Sequence, residues 1–532
     1  MDTVTALIAG LSSAKGNDTA ILYHDEAITF AEIDDMGRRA AGFLAELGIG
    51  KGGRVALWLP NCPAYMALCL GCCRLGAIAV AVNTRFRSVE VSDIIRRSGA
   101  EILMLWPGFR EIDFLGLLAA ADTGALAGLK TIILYDEGGK ADEIPAAVGH
   151  CRRLDYNELI QCPPFGDDHA SPEAGCNIFT TSGTTKAPKF VLHCQGGIAR
   201  HARLVADGFG YTTSKGALLQ MMPLCGVFGF TQMMAGLASG QPTVLTASFD
   251  PSRTVALSAR HNVVNFNATD DMIQSILDHS PLDRPLPNLR FVGTAAFATN
   301  YGELAVRAEA RGIRMVGLYG MSEVQALFAI QPMDLPLAER IAGGGRPISP
   351  LSEVRVRDPD SGALLGPGEP GELELKGPSL MKEYYLNPEA TAAEFTDDGF
   401  LRTGDLGQLT GDGRFLYLQR LGDVLRLGGF LVSPAEIENH LIAHPSVADA
   451  QVVGVKTADG AIRAVGFVLT QAGADFDEDI LRHHCRDGLA RFKAPVRIFA
   501  LDEFPTTESA NGTKIQRAEL RRMAERRCGL DN

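Results

Sequence analysis

Apolar residues come along this chain in two alternating rhythms. One is a short apolar run closed by Pro or a polar residue: Arg54–Leu59 stopped by Pro60, Ala77–Val82, Glu101–Trp106, Thr131–Tyr135 and Cys176–Thr180. Runs of this kind suit strands buried on both faces of a parallel sheet. The other rhythm is helical. Phe30, Ile33, Met36, Ala40, Phe43, Leu44 and Leu47 share one face of a helix over about 30–47, entered at Thr29 and stopped by Gly48 and Gly50. A further helix reaches about Leu75. The alternation predicts an α/β fold with a doubly wound parallel sheet. Ala20–Phe30 reads as two short strands around an acidic turn. Ala217–Met221, Thr243–Leu245, Asn262–Phe266 and Leu289–Val292 continue the strand rhythm, and the polar residues 137–175 interrupt it as a loop-rich excursion.

The texture changes after about residue 340. Gly343–Pro347 is a tight loop, and Val354–Val356 and Gly371–Leu375 read as antiparallel strands joined by polar turns. A small β subdomain over about 340–421 is expected. A second change falls near Leu421-Gly-Asp423. From there a compact α+β unit is predicted, with helices Pro434–Ile442 and Glu478–Ala490 and strands Ala448–Val455, Ala464–Thr470 and Val496–Ala500. The expected organisation is an N-terminal domain over 1–421 and a C-terminal domain over 422–532.

Composition narrows the partners. At 532 residues the chain exceeds one domain, and its net charge of −13 argues against a nucleic-acid partner. A locally basic site for an acidic substrate remains compatible with that charge. The chain has 11 cysteines; Cys69-Leu-Gly-Cys72-Cys73 lacks the second pair a zinc ribbon needs. The cysteines read as small helix-packing residues in a reducing cytoplasm. Gly71, Arg74 and Gly76 interrupt the apolar stretch 65–83, so no membrane span is expected. No basic segment precedes the first apolar residues and the last four, Gly-Leu-Asp-Asn, form no lipidation motif, so neither a signal peptide nor an anchor is expected.

The densest chemistry lies at Thr180–Lys189, which holds five hydroxyl residues, one Gly and two Lys directly after the apolar pair Ile178-Phe179. A strand ending in such a loop offers N–H, hydroxyl and ammonium donors to a polyphosphate. The spacing is not that of a Walker loop. Further motifs follow in order: Tyr319-Gly-Met-Ser-Glu323, Gly371-Glu-Leu, Tyr385-Leu-Asn-Pro388, Thr403-Gly-Asp405, Arg420-Leu-Gly-Asp423, Gly428-Gly-Phe-Leu-Val-Ser-Pro434 and Gly512-Thr-Lys-Ile-Gln-Arg517. Together with Thr181–Lys189 they resemble, over nearly the whole chain, the adenylate-forming superfamily of acyl-CoA synthetases, adenylation domains and beetle luciferases.

The resemblance implies a reaction in two halves. A carboxylic acid and MgATP give an acyl-adenylate, and a thiol, here coenzyme A, then displaces AMP. It also implies site residues. Thr181, Ser182, Gly183, Thr184, Thr185 and Lys189 would hold the phosphates. Glu323 would bind Mg²⁺, Ser322 would reach the α-phosphate, and Lys514 would be the catalytic cation. Ala295, Ala296, Leu318, Tyr319, Asp405 and Arg420 would surround adenine and ribose. Asp423 would be the hinge of a mobile C-terminal domain, and Gly428, Gly429 and Phe430 would pass the pantetheine arm. Gly226, Phe228, Gly229, Phe230 and Met321 would line the acyl pocket. Each has a plainer reading too: an exposed loop carboxylate for Glu323, a core tyrosine for Tyr319, a turn residue for Asp405, a solvated cation for Arg420 and Lys514.

Four departures from the family pattern stand out. Lys186 and Phe190 occupy positions where it has Gly, which predicts a stiffer loop. Cys225-Gly226 stands where it has an aromatic residue and a His, which predicts a wider acyl site. Thr294-Ala-Ala-Phe297 replaces a Ser-Gly-rich run. Asp270-Asp271 replaces Pro and reads as a helix N-cap, with a polar-substrate contact as the alternative. The expected function is an ATP-dependent ligase of an apolar acid, fatty or aryl, with CoA. The rivals are loading of a carrier-protein thiol, a luciferase-like oxidase and a silent binding protein. A homodimer is compatible with the family.

Overall fold

In the computed structural model, described for residues 2–110, 112–136, 143–180, 189–295, 301–421, 425–427, 430–432, 434–457, 462–489, 493–509 and 512–529, an α/β N-terminal domain is followed by a small C-terminal domain. The N-terminal domain holds two sheets. In the first, six strands run parallel in the order Gly175–Thr180, Ile78–Ala81, Arg54–Trp58, Ile102–Leu105, Thr131–Leu134 and Arg152–Asp155. Phe190–Cys194 and then Glu383–Tyr384 add antiparallel strands beside Gly175–Thr180. The second sheet has 14 strands. Its parallel part runs Thr19–Tyr23, Thr243–Leu245, Ala217–Gln220, Val263–Thr269, Phe291–Ala295 and Met315–Tyr319. The antiparallel strands of residues 344–420, other than Glu383–Tyr384, continue the same sheet through Ala329–Ile330.

The helices follow from local signals. Phe30–Glu46 opens with a reciprocal capping box, Thr29 accepting from Glu32 N–H while Glu32 accepts from Thr29 N–H at 2.7 Å. Pro63–Leu75 is apolar except for Arg74, which pairs with Asp34, and is buried along its whole length, with Cys69, Cys72 and Cys73 in contact with other core residues. One continuous hydrophobic cluster includes strand residues of both sheets, such as Val55 and Leu218, so the sheets share a core. Among the described residues no helix is long and apolar enough to cross a membrane.

Three local expectations are corrected. Gly344–Pro347 is not a tight loop but a short strand, antiparallel to Ala329–Ile330 and to Phe415–Arg420. The excursion before the hydroxyl-rich loop contains the strand Arg152–Asp155 and the helix Tyr156–Gln161. Its Arg-Arg-Leu-Asp sequence does not look like a strand because it lies at the sheet edge, where charged side chains reach water. Thr269, not Asp270, is the N-cap of the helix Asp270–His279; Asp270 and Asp271 occupy its first turn, where their charge favours the positive end of the helix.

The C-terminal domain packs around its own two clusters. Its sheet has Val447–Lys456 antiparallel to Ile462–Thr470, and Arg497–Ala500 parallel to the latter. Helices Pro434–Ile442, Glu478–Gly488 and Arg517–Arg527 accompany it, together with the hairpins Leu425–Leu427/Phe430–Val432 and Thr506–Ser509/Gly512–Ile515.

Candidate active site

Strands Gly175–Thr180 and Phe190–Cys194 form an antiparallel hairpin whose last pair is Thr180 opposite Phe190. The connection is the hydroxyl-rich loop. Its residues Thr181, Ser182, Gly183, Thr184, Thr185 and Lys186 lie outside the described residues, and Lys189 is its described end. The Lys189 ammonium lies 4.4 Å from the centre of the Tyr384 ring and 3.4 Å from its hydroxyl, and is paired with Glu394. The Tyr384 hydroxyl donates to Glu323 Oε1 at 2.8 Å. Lys189 and Glu323, distant in sequence, thus meet through one phenol.

Glu323 sits just beyond the end of the parallel strand Met315–Tyr319, in the short 3₁₀ turn Ser322–Val324. It is buried, not exposed. Burial pushes its carboxyl above the usual range, and the Tyr384 hydrogen bond opposes that shift. The turn continues through Gln325, Ala326 and Leu327, all with positive φ (62°, 49° and 39°). Left-handed backbone at non-glycine residues costs about 1–3 kcal/mol each, so it persists only where the surroundings enforce it. Here they do. Thr231 donates to Gln325 O at 2.7 Å, and the buried His201 Nε2–H donates to Ala326 O at 3.1 Å. The buried His193 Nε2–H donates to Ser322 O at 2.8 Å. Burial holds both imidazoles neutral, His193 down to about 4 and His201 to about 3. Gly320 is required, because a Cβ there would lie 2.6 Å from Ala326 backbone atoms.

At the start of this segment Tyr319 is buried edge-on to Phe415, with ring centres 5.1 Å apart. This is core packing. Its hydroxyl donates to Asp405 Oδ2 at 2.6 Å. Asp405 lies opposite Arg420 across paired strands, with Oδ1 3.0 Å from Arg420 Nη1. Thr403 Oγ1 accepts from the Asp405 N–H, and Thr403 O accepts from Arg420. Asp405 is buried, which raises its carboxyl, while Arg420 and Tyr319 pull it back. Tyr319-Gly-Met-Ser-Glu323 therefore carries two polar groupings on one short segment: Arg420–Asp405–Tyr319 at one end and Glu323–Tyr384–Lys189–Glu394 at the other.

The remaining expected residues are spread more widely. Leu318 is buried in the strand opposite Ile330, and Ala295 is half-buried at the end of its strand, opposite Thr269. Met321 is half-buried against the cluster containing Val191 and Val324. Gly226 is the N-cap residue of the helix Val227–Ser239. Phe228 is buried, and Phe230 packs on Phe179 at 5.4 Å. At Gly229 a Cβ would meet Pro223 O at 2.3 Å, so the glycine lets the helix approach the preceding loop. Asn61 pins that loop, donating to Met222 O at 3.0 Å and accepting from Leu224 N–H at 2.7 Å. Lys514 is paired with Thr507 in the strand Gly512–Ile515, its side chain lying outside the described set, as does that of Phe430. Ala296, Asp423, Gly428 and Gly429 lie outside the described residues.

Comparison with known proteins bears on this geometry. The AMP-binding enzyme family profile matches residues 12–385, and that of the AMP-binding enzyme C-terminal domain matches residues 436–511. The chain belongs to the AMP-binding enzymes. Among curated AMP-binding relatives, a 4-coumarate-CoA ligase of Narcissus pseudonarcissus is 27% identical, covering 95% of this chain and 90% of that protein. A methyl-dioxo-octahydro-indenyl propanoyl:CoA ligase of Mycobacterium tuberculosis is 31% identical, covering 97% and 99%. The ATP-bound crystal structure of MatB from Rhodopseudomonas palustris superposes with a TM-score of 0.83 at 25% identity, covering 98% of this chain and 99% of that one. In this AMP-binding enzyme, sequence reasoning missed Tyr384, Glu394, His193 and His201. His201 had a signal: it is a polar residue on the buried face of the amphipathic helix Gln195–Gly208. Tyr384 had none, since its partners come from three separate segments.

Proposed function

We propose that this enzyme is an AMP-forming ligase joining a carboxylic acid to coenzyme A. A substrate carboxylate oxygen attacks the α-phosphorus of ATP and pyrophosphate leaves. The thiol sulfur of CoA then attacks the acyl carbon of the adenylate and AMP leaves. The observation that carries this reading is the pair of polar groupings on Tyr319–Glu323, directly beside the exit of the hydroxyl-rich loop. Similarity along nearly the whole chain to proteins named as CoA ligases supports it.

In this reading the loop Thr181–Lys189 cradles the β- and γ-phosphates, and Ser322 donates to the α-phosphate. Asp405, oriented by Tyr319 and Arg420, accepts from the ribose hydroxyls between the strand ends at Ala295 and Leu318. Among the described residues no three His, Cys, Asp or Glu side chains are arranged to hold a metal alone. One buried carboxylate, Glu323, fits Mg²⁺, a hard cation that takes one or two carboxylates and completes its shell with phosphate oxygens and water. When bound, that ion supplies neutralisation of the phosphate charge. Lys514, from the C-terminal domain, bridges the attacking carboxylate and the α-phosphate. That domain then turns about Asp423 and brings Gly428, Gly429 and Phe430 to the pantetheine arm.

The acid is apolar, fatty or aryl; the 4-coumarate in one relative's name favours the aryl class, while the saturated two-ring propanoate in the other's favours a bulky apolar acid without an aromatic ring. Pyrophosphate release with a panel of aliphatic and aryl acids, followed by detection of the acyl-CoA, tests the proposal. Absence of pyrophosphate release with every acid would overturn it. Adenylate formation without transfer to CoA would point to a carrier-protein thiol as acceptor.

A further inference from the structure

Successive side chains of a strand point to opposite faces. At the exit of the phosphate hairpin this places two neighbours on two different partners. Lys189 lays its ammonium over Tyr384 and pairs with Glu394. Phe190, facing the other way, is 2% exposed and carries the Arg97 guanidinium 4.2 Å from its ring centre. Arg97 comes from the helix Ser88–Ser98, where Asp93, one turn earlier, holds its Nη1 at 2.9 Å. Backbone bonds meet at the same point: Phe190 closes the hairpin opposite Thr180, and its carbonyl accepts from Tyr385 N–H at 2.7 Å.

We infer that these two cation–π contacts form a clamp on the exit of the phosphate loop, and that Phe190 and Arg97 are positioning residues for the polyphosphate of the nucleotide. The inference rests on the proposed role of Thr181–Lys189. A glycine at 190 would give Arg97 no ring to stack on, and the loop exit would be held from the Lys189 side only. The clamp reaches the phosphates through the backbone: Lys189 and Phe190 share a peptide bond, so fixing the Phe190 ring fixes the Cα from which Lys189 extends. Without the ring contact the backbone at Phe190 must be fixed when nucleotide binds, and that cost falls on affinity. The clamp is the same in the ground state and in the transition state. Its loss therefore raises KM for ATP and leaves kcat nearly unchanged.

Phe190→Leu keeps an apolar side chain in the buried position and removes the π face; Arg97→Gln removes the cation. The dissociation constant of a fluorescent ATP analogue, KM and kcat in pyrophosphate release, and the thermal midpoint are measured for both variants and the double variant. Each single variant is expected to raise the dissociation constant and KM about fivefold to tenfold, the range for a partly buried cation–π contact, with kcat within about twofold. The double variant is expected to be no worse than the singles, because both remove one contact. Arg97→Lys should recover part of the loss. Unchanged nucleotide affinity in both variants, or a fall in kcat at constant KM, overturns the clamp. A wild-type protein that binds no nucleotide overturns the phosphate-loop reading and the clamp with it.

Discussion

Glu438→Gln tests how the lysine-bearing hairpin is attached. Glu438 lies on the helix Pro434–Ile442 and is 2% exposed. Its Oε1 accepts from Val452 N–H at 2.8 Å and faces Arg517 Nη1 at 2.8 Å; its Oε2 accepts from Arg517 Nη2 at 3.2 Å. Arg517 begins the last helix, close behind the strand that carries Lys514. The amide keeps the shape but removes the charge and turns a donor toward the guanidinium. Breaking a buried pair from one side costs about 3–5 kcal/mol. The Arg517 side chain is 26% exposed, so water recovers part of this, leaving about 2–3 kcal/mol. Over the roughly 110 residues of this domain each kcal/mol moves the midpoint by about 4 °C, so the C-terminal transition should fall by about 8–12 °C. Trp58 and Trp106, the two tryptophans, both lie in the N-terminal domain. Tryptophan fluorescence therefore reports that domain, and calorimetry reports both. A calorimetric transition that falls while the fluorescence midpoint stays is the expected result. A fall below about 4 °C would refute the reasoning, because the pair would then be no tighter than a solvated surface one.

Three further outcomes are expected. Lys514→Ala should slow adenylate formation by roughly 10²–10³-fold while sparing thioester formation from supplied acyl-adenylate; equal damage to both halves would remove Lys514 from its role. Asp405→Asn replaces charge-assisted hydrogen bonds worth about 1.5–3 kcal/mol, so KM for ATP should rise roughly 10- to 100-fold, and a change within about threefold would exclude a ribose contact. Burial holds His201 at about 3 against an ordinary value of 6.5. Between these values the unfolded chain binds the extra proton, so stability rises with pH through the window and is lost as pH falls, by up to about 1.4 kcal/mol per pH unit. His201→Gln lacks this titration. The stability gap between wild type and variant, from urea unfolding, should therefore shrink from pH 7 to pH 4.5; a constant gap would show that His201 titrates normally.

Much of the architecture was legible along the chain, because buried parallel strands and amphipathic helices each impose a period on the sequence. Thr29 marks a helix start, and Pro434–Ile442 lies where its pattern predicts. The strand Arg152–Asp155 was not legible, since an edge position removes the apolar signal. Nor was the packing demand at Gly229 legible: a Cβ there would meet Pro223 O at 2.3 Å, an atom brought near only by the fold.

Residue order alone determined the α/β plan with a small C-terminal unit and the hydroxyl-rich character of the loop 181–189, because these depend on local period and on functional-group type; the choice of Glu323, Asp405 and Lys514 came from the resemblance of the motifs around them. Only the tertiary structure decided that Tyr384 joins Lys189 to Glu323, that His193 and His201 hold a left-handed turn, and that Phe190 lies beneath Arg97. Such contacts join residues far apart along the chain. A side chain's partner across a fold is set by packing, and packing has no period that a sequence can display.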